Sequence, residues 1–326
     1  MPTAILITFE YVFKSLPGAV VDLYHAFTWC RSFECDIHIL TDIESIKDPN
    51  NLEQVVKYKI ADKNILTFYD DILTGNSSKN NIKDSLTLLN SLNRILSLDI
   101  PDNKLIIYYS GHGVKDSMIM PNKSLLSFID FRDHVINLLK PYVEIFWILD
   151  CCNPNGLQLP YKLTGNTFAL SSSQIKFVTQ PILLITSSES NEKSIATKFG
   201  SVFTRHLFRI LNQLNIDMDR KFKKRISIPI QKNRNLRRLI GNLTSSIRKM
   251  GTGYIQTVSI YSSYVMDPLL WMWIGSNKSY DIVIDLTLTT LIFRNFDSSI
   301  KSIPIKKHRK PRKEKFFNPY DLVYTD

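Results

Sequence analysis

Short apolar runs alternate with helically spaced apolar positions from Ala4 to Leu214. AILIT (Ala4–Thr8) reads as a strand, and CDIHILTD (Cys35–Asp42) alternates in the period of a half-buried one. LIIYY, within Lys104–Gly113, and IFWIL, within Val143–Cys152, are continuous apolar runs. That pattern fits central strands covered on both faces. PILLITSS (Pro181–Ser188) is a further strand. Between these runs, apolar residues fall at helical spacing over Val20–Trp29, Ser85–Leu98, Leu125–Lys140 and Ser201–Leu214. Strand and helix taking turns in this way predict an α/β fold, a mostly parallel central sheet with helices on both faces.

The rest of the pattern is weaker. Lys47–Lys83 is rich in Asn, Asp, Ser and Lys around one periodic patch, EQVVKYKI. Asn153–Lys176 reads as a polar loop. Thr252–Gly275 reads as one or two strands that finish the same core. Beyond Ser276 a strand pair at Tyr280–Phe293 gives way to a basic, proline-bearing tail. The expected organisation is one domain over residues 1–275 and an extension over 276–326.

Composition changes this picture little. Apolar residues make up 44% and charged residues 22% of the 326, enough for a sizeable core. No apolar run reaches the length of a membrane span, so no membrane partner is expected. The opening MPTAILITFE has no basic leader and is interrupted by Glu10, which reads as a first strand rather than a signal peptide. Four cysteines, two of them adjacent, do not make a disulfide framework. They suit a reducing compartment, the cytoplasm, with a nuclear address as the alternative suggested by the basic tail. Net charge is +11 and unevenly spread. Arg220–Lys249 holds eleven Lys/Arg and no Asp/Glu, and a second basic cluster occupies Lys306–Lys315. The bland reading is a solvated basic face and a loose tail. The sharper one is contact with an acidic partner or nucleic acid, without base-specific reading, since no aromatic motif is interleaved.

Chemistry concentrates at two predicted strand ends. LIIYYSGHG closes on His112 between Gly111 and Gly113, and ILDCCNPNG closes on Cys151 and Cys152. In a parallel α/β sheet, reactive groups gather beyond the carboxyl ends of the strands. A thiol becomes a nucleophile when a neighbouring imidazole takes its proton, and the same imidazole can return that proton to a leaving amine. The N–H groups of Gly113 and of the nucleophile residue are the expected oxyanion donors. Taken singly, a histidine after a strand is more often structural, and a buried cysteine is more often core filler. Their joint placement on two strands of one sheet raises the catalytic reading.

These stretches resemble the caspase-like cysteine peptidases, and most closely the metacaspases. YYSGHG resembles the family's histidine motif and ILDCCNPNG its cysteine motif. LPGAVVD (Leu16–Asp22) resembles an early motif, SSESNEKSIATKFGSVFTRHLFRIL a downstream segment, and IQTVSIYSS a closing strand. The similarity runs in order from Ala4 to Gly275. It implies a caspase-like fold, His112 as general base and acid, and Cys152 as nucleophile, with Cys151 a small buried neighbour. It also implies an acidic pocket of Asp22, Ser110 and Asp150 that accepts Lys or Arg before the scissile bond. Two carboxylates favour a long cation, and arginine can bind them in a forked manner. No arginine beside either motif suggests cleavage after Asp instead.

The chain departs from the family at Ala19 and Val21 and at Asn153–Gly156, where Pro154 cannot donate an N–H. The segment between His112 and Cys152 is short. Asp116, Asp130 and Asp133 are too few and too scattered for an oxygen cage, so no cofactor is expected and calcium, which the family would suggest, is not. Family habit makes Lys162 and Lys176, in the loop after the nucleophile, candidate self-cleavage points. The alternative function is an inactive caspase-like homologue that works by binding.

Overall fold

The structure is a computed structural model of the chain and describes residues 1–16, 18–43, 63–68, 79–98, 100–154, 158–164, 167–171, 178–189, 191–223, 236–248 and 256–265. Strand β1 (Thr3–Thr8) leads into helix α1 (Ala19–Arg31) and strand β2 (Asp36–Thr41). After α2 (Lys63–Phe68) and the short β3 (Lys79–Asn81), helix α3 covers Ser85–Leu96. Strand β4 (Lys104–Ser110) is followed by β5 (Gly113–Val114), β6 (Ser117–Ile119) and β7 (Leu125–Ser127), a small antiparallel sheet of its own. Helix α4 (Phe128–His134) and strand β8 (Glu144–Asp150) come next, then the hairpin β9 (Tyr161–Thr164) and β10 (Thr167–Leu170). Strand β11 (Ile182–Thr186), the short pair β12 (Ala196–Thr197) and β13 (Gly200–Ser201), helices α5 (Val202–Lys223) and α6 (Leu236–Arg248), and strand β14 (Ser259–Ser262) complete the described elements.

Nine strands form the central sheet, in the order β10-β9-β14-β11-β8-β4-β1-β2-β3. From β3 to β11 every neighbouring pair is parallel, and β14, β9 and β10 extend that sheet in antiparallel fashion. The central runs behave as their composition demands. Six of seven residues in both β4 and β8 are buried, because side chains on both faces meet helices or loops.

Neighbouring residues of β8 show which helix covers which face. Successive side chains of a strand point to opposite faces. The Phe146 ring packs 6.2 Å from Trp29 of α1, and Trp29 in turn packs 5.4 Å from Phe208 of α5. The Trp147 ring packs 4.7 Å from Phe131 of α4. Helices α1 and α5 therefore share one face and α4 lies on the other. The architecture is the mostly parallel α/β fold with helices on both faces that the sequence pattern predicts.

Two differences stand out. Leu125–Lys140 is not one helix. Its first three residues pair in β7, the helix stops at His134, and Val135 (φ −125°) precedes a single 3₁₀ turn over Ile136–Leu138. The apolar spacing is real, but Leu126 is buried through a strand and Phe128 and Phe131 through a helix. The expected polar loop after Cys152 contains β9 and β10, which join the central sheet through β14. Short strands in a polar context have too little periodicity to be read. Thr252–Gly275 holds one strand among its described residues, β14, within the one or two expected. Residues 276–326, including the expected strand pair and tail, lie outside the described residues, as do 224–235 of the basic window.

Candidate active site

Strands β4 and β8 run side by side in register, pairing Ser110 with Asp150 at their last positions. The two polypeptides then leave the sheet together, one into Gly111–His112–Gly113 and the other into Cys151–Cys152. Ser110 and Asp150 share the parity of Tyr108 and Ile148 along their strands, and therefore the α1/α5 face. Tyr108 confirms it, packing 5.6 Å from Phe208. Cys151 falls on the opposite parity and is 1% exposed, while Cys152 lies on the Asp150 side and is half-buried. Of the two adjacent thiols, strand alternation thus sends one into the core and one into the cleft.

His112, Cys152, Asp22, Ser110 and Asp150 line one cleft, with Leu16, Ala19, Ser194 and Ser201 among its other walls. Its imidazole is held firmly. Nε2 lies 2.8 Å from the Lys14 carbonyl oxygen. A carbonyl can only accept, so Nε2 carries the proton and Nδ1 is left with the lone pair. The backbone of His112 is clamped by two buried phenols. Its N–H donates to the Tyr11 hydroxyl (2.8 Å), and its carbonyl accepts from the Tyr109 hydroxyl (2.7 Å). The Tyr11 hydroxyl in turn donates to the Ile119 carbonyl (2.9 Å). Burial pushes the His112 pKa below its usual value, against the pull of the Lys14 carbonyl.

The Cys152 sulfur rests against the backbone of Ser194, whose N–H donates to Sγ at 3.3 Å. Burial raises the thiol pKa, and that N–H acts in the opposite direction by favouring the thiolate. Resting Cys152 and His112 are therefore both shifted toward their neutral forms. Gly113, the expected oxyanion donor, sits directly against the Cys151–Cys152 backbone. A Cβ there would lie 2.3 Å from the Cys152 carbonyl oxygen and 2.8 Å from the Cys151 sulfur. No other residue type fits.

Both carboxylates are deeply buried. Asp22 is 4% exposed and Asp150 3%. Each is hydrogen-bonded by the protein. Asp22 accepts from the Ser110 hydroxyl (3.1 Å) and the Ser201 N–H (2.8 Å). Asp150 accepts from the Ser194 hydroxyl (2.7 Å) and the Thr204 hydroxyl (2.6 Å). Burial raises both pKa values, and for Asp22 the charge of Asp150 adds to the rise while that of Arg205 opposes it. The tight approach to Asp22 also explains Gly200, whose φ is +90° and whose Cβ would sit 2.4 Å from the carboxylate.

Sequence reasoning assembled the five named side chains and left out the groups that hold them. Lys14 acts through a backbone carbonyl, which has no sequence signal. Ser194, Gly200, Ser201 and Thr204 all lie in the segment SSESNEKSIATKFGSVFT, so the signal was present as a motif without assigned roles. Lys162 stands in β9 with its amine on Glu189, and Lys176 lies outside the described residues. Asp130 bonds to Ser127 and Asp133 to Arg132 and Asn137, each in its own surroundings. Among the described residues no group of three or more His, Cys, Asp or Glu is placed to hold a metal ion. Among them, too, no helix is long and apolar enough to cross a membrane.

No protein-family profile matches the sequence, and no curated protein matches it. Among solved structures, the chain is similar to the crystal structure of caspase-1 from Spodoptera frugiperda, with 11% identity and a TM-score of 0.46 over 80% of this chain and 86% of that one. It is similar to the same degree, 11% and 0.46 over 80% of this chain and 92% of the other, to protein GSU0716 from Geobacter sulfurreducens. At such values neither likeness bears on activity. Strand order and pairing by themselves give an α/β fold with a mostly parallel central sheet.

Proposed function

We propose that the protein is a cysteine endopeptidase resembling the metacaspases, which hydrolyses peptide bonds after Lys or Arg. One observation carries the reading: the in-register ends of β4 and β8 deliver His112 and Cys152 to a single cleft whose floor holds Asp22 and Asp150. In this reading Nδ1 of His112 takes the proton of the Cys152 thiol as Sγ attacks the carbonyl carbon. The N–H groups of Gly113 and Cys152 hold the oxyanion. His112 then protonates the leaving amine, and water, deprotonated by the same nitrogen, releases the acyl group. Asp22 and Asp150 bind the cation of the residue before the scissile bond, with Ser110 shaping the pocket. Since burial raises both carboxylate pKa values, an entering ammonium or guanidinium supplies the positive charge that lets them ionise.

A binding protein with the same fold is the second reading. It is favoured by the fact that both carboxylates already hold internal donors and that burial shifts thiol and imidazole toward neutrality. A peptide ending in an arginyl or lysyl thiol-reactive group separates the two. The peptidase reading expects labelling of the intact protein that disappears in Cys152→Ala and in His112→Ala. Absence of labelling, with the peptide still bound reversibly, supports the binding protein. An acidic protein or nucleic acid at the Arg220–Lys249 window remains a proposal on charge alone, and its binding should weaken steeply with salt.

A further inference from the structure

Two cysteines take no part in the cleft. Cys30 lies in the last turn of α1 and is 1% exposed, and Cys35, half-buried, directly precedes β2. The chain between them forms a Schellman helix end. Glu34 takes the left-handed conformation, with φ of +57°. The Glu34 N–H bonds the Arg31 carbonyl at 3.0 Å, and the Cys35 N–H bonds the Cys30 carbonyl at 3.3 Å. In this motif the residues joined by the longer bond habitually bring their side chains together. Here both of those residues are cysteines, each with a free thiol. A backbone bond of 3.3 Å also limits the separation of the two Cα atoms to about 7 Å, the upper edge of what a disulfide spans.

We propose that Cys30 and Cys35 form a reversible disulfide site, a redox modification site separate from the catalytic thiol. The chemistry needs a small disulfide such as oxidised glutathione. The Cys35 thiolate attacks one sulfur of that reagent and releases one glutathione thiolate. The Cys30 sulfur, losing its proton, then attacks Cys35 Sγ and releases the second. Two protein thiols are oxidised and one glutathione disulfide is reduced to two thiols, so atoms and electrons balance. The order of attack follows from exposure: burial keeps Cys30 from solvent and raises its pKa, while Cys35 is within reach of a reagent.

Topology keeps the two sulfur chemistries apart. Cys35 sits just before β2, at the amino ends of the parallel strands, since Asp36 pairs with Thr3 at the start of β1. His112 and Cys152 sit beyond Ser110 and Asp150, at the carboxyl ends. Oxidation of the pair pins the end of α1 to β2 without touching the cleft. This inference does not depend on the peptidase reading.

The test equilibrates the full-length protein in glutathione buffers of stepped oxidation, traps free thiols by alkylation and maps the peptides by mass. A Cys30–Cys35 linked species, lighter by two hydrogens, is expected to appear with oxidation and vanish on reduction with dithiothreitol. It is expected in the wild type and in Cys152→Ala alike, and to be missing in Cys35→Ala. Alkylation of both residues throughout the series overturns the proposal. So does a stable glutathione adduct on Cys35 with Cys30 still free.

Discussion

At the scale of single residues, the cleft brings together groups that burial has driven toward neutrality. The Cys152 pKa is raised and the His112 pKa lowered, so the proposed peptidase would form its thiolate as the imidazole takes the proton, not hold it in advance as an ion pair. Alkylation of Cys152 by iodoacetamide should therefore rise with pH, with its inflection above the value of about 8.5 usual for a free thiol. A reactive plateau persisting into mildly acid solution would show a preformed thiolate–imidazolium pair instead. Asp22 offers a second measurement. Its folded pKa lies above the unfolded one, so its protonated form is the one the fold favours. The associated stability is present at acid pH and declines as pH rises through the raised pKa. Asp22→Asn should thus raise the melting temperature at neutral and alkaline pH relative to wild type. It should also cost the Lys/Arg-directed probe about tenfold or more in labelling rate, as one of two carboxylates is lost. Equal labelling with neutral and basic probes in the wild type would remove Asp22 from the specificity pocket.

Elements set those residues in place by parity and by close backbone approach. Had β8 been shifted by one residue, Cys151 would occupy the cleft and Cys152 the core. Register is fixed by seven paired positions against β4 and by buried side chains on both faces. The turn after β4 depends on Gly113, against which the Cys152 backbone lies. Gly113→Ala should force the Cys152 loop aside. The expected result is loss of most probe labelling, ~100-fold, since a misplacement of an ångström at the reacting centre has that effect, and the far-ultraviolet spectrum should be unchanged. Full labelling in that variant would mean that the loop moves freely and that Gly113 has no positional role. Helix α3 shows the opposite case, an element legible from its own residues. Asp84 and Thr87 exchange capping hydrogen bonds, and Leu88, Leu92 and Ile95 form its buried stripe.

For the molecule as a whole, one core ties the cleft to the sheet. Trp29 joins α1, which carries Asp22, to Phe208 of α5, which carries Thr204, and to Phe146 of β8, which leads to Cys152. Removing that ring leaves a cavity shared by all three elements. Trp29→Ala should lower stability by about 3–5 kcal/mol in denaturant unfolding. Probe labelling and global unfolding should be lost over the same denaturant range in that variant. Loss of labelling well before unfolding would show that the cleft is stabilised separately from the core.

The alternation of apolar runs determined the main parallel strands, the helices α1, α3 and α5 and the class of fold, because burial on one or two faces imposes a period on the sequence itself. The two glycine-flanked and cysteine-bearing strand ends were equally legible, since the residue types that chemistry needs are rare and stood at predicted termini. Only the tertiary structure decided the rest. It turned Leu125–Lys140 into a strand and a short helix and built β9 and β10 from a polar stretch. It buried the two carboxylates among serine and threonine donors and supplied a backbone carbonyl from Lys14 to fix the imidazole. Such contacts join residues far apart in the chain, some through main-chain atoms that every residue shares, so no local pattern of side chains can encode them.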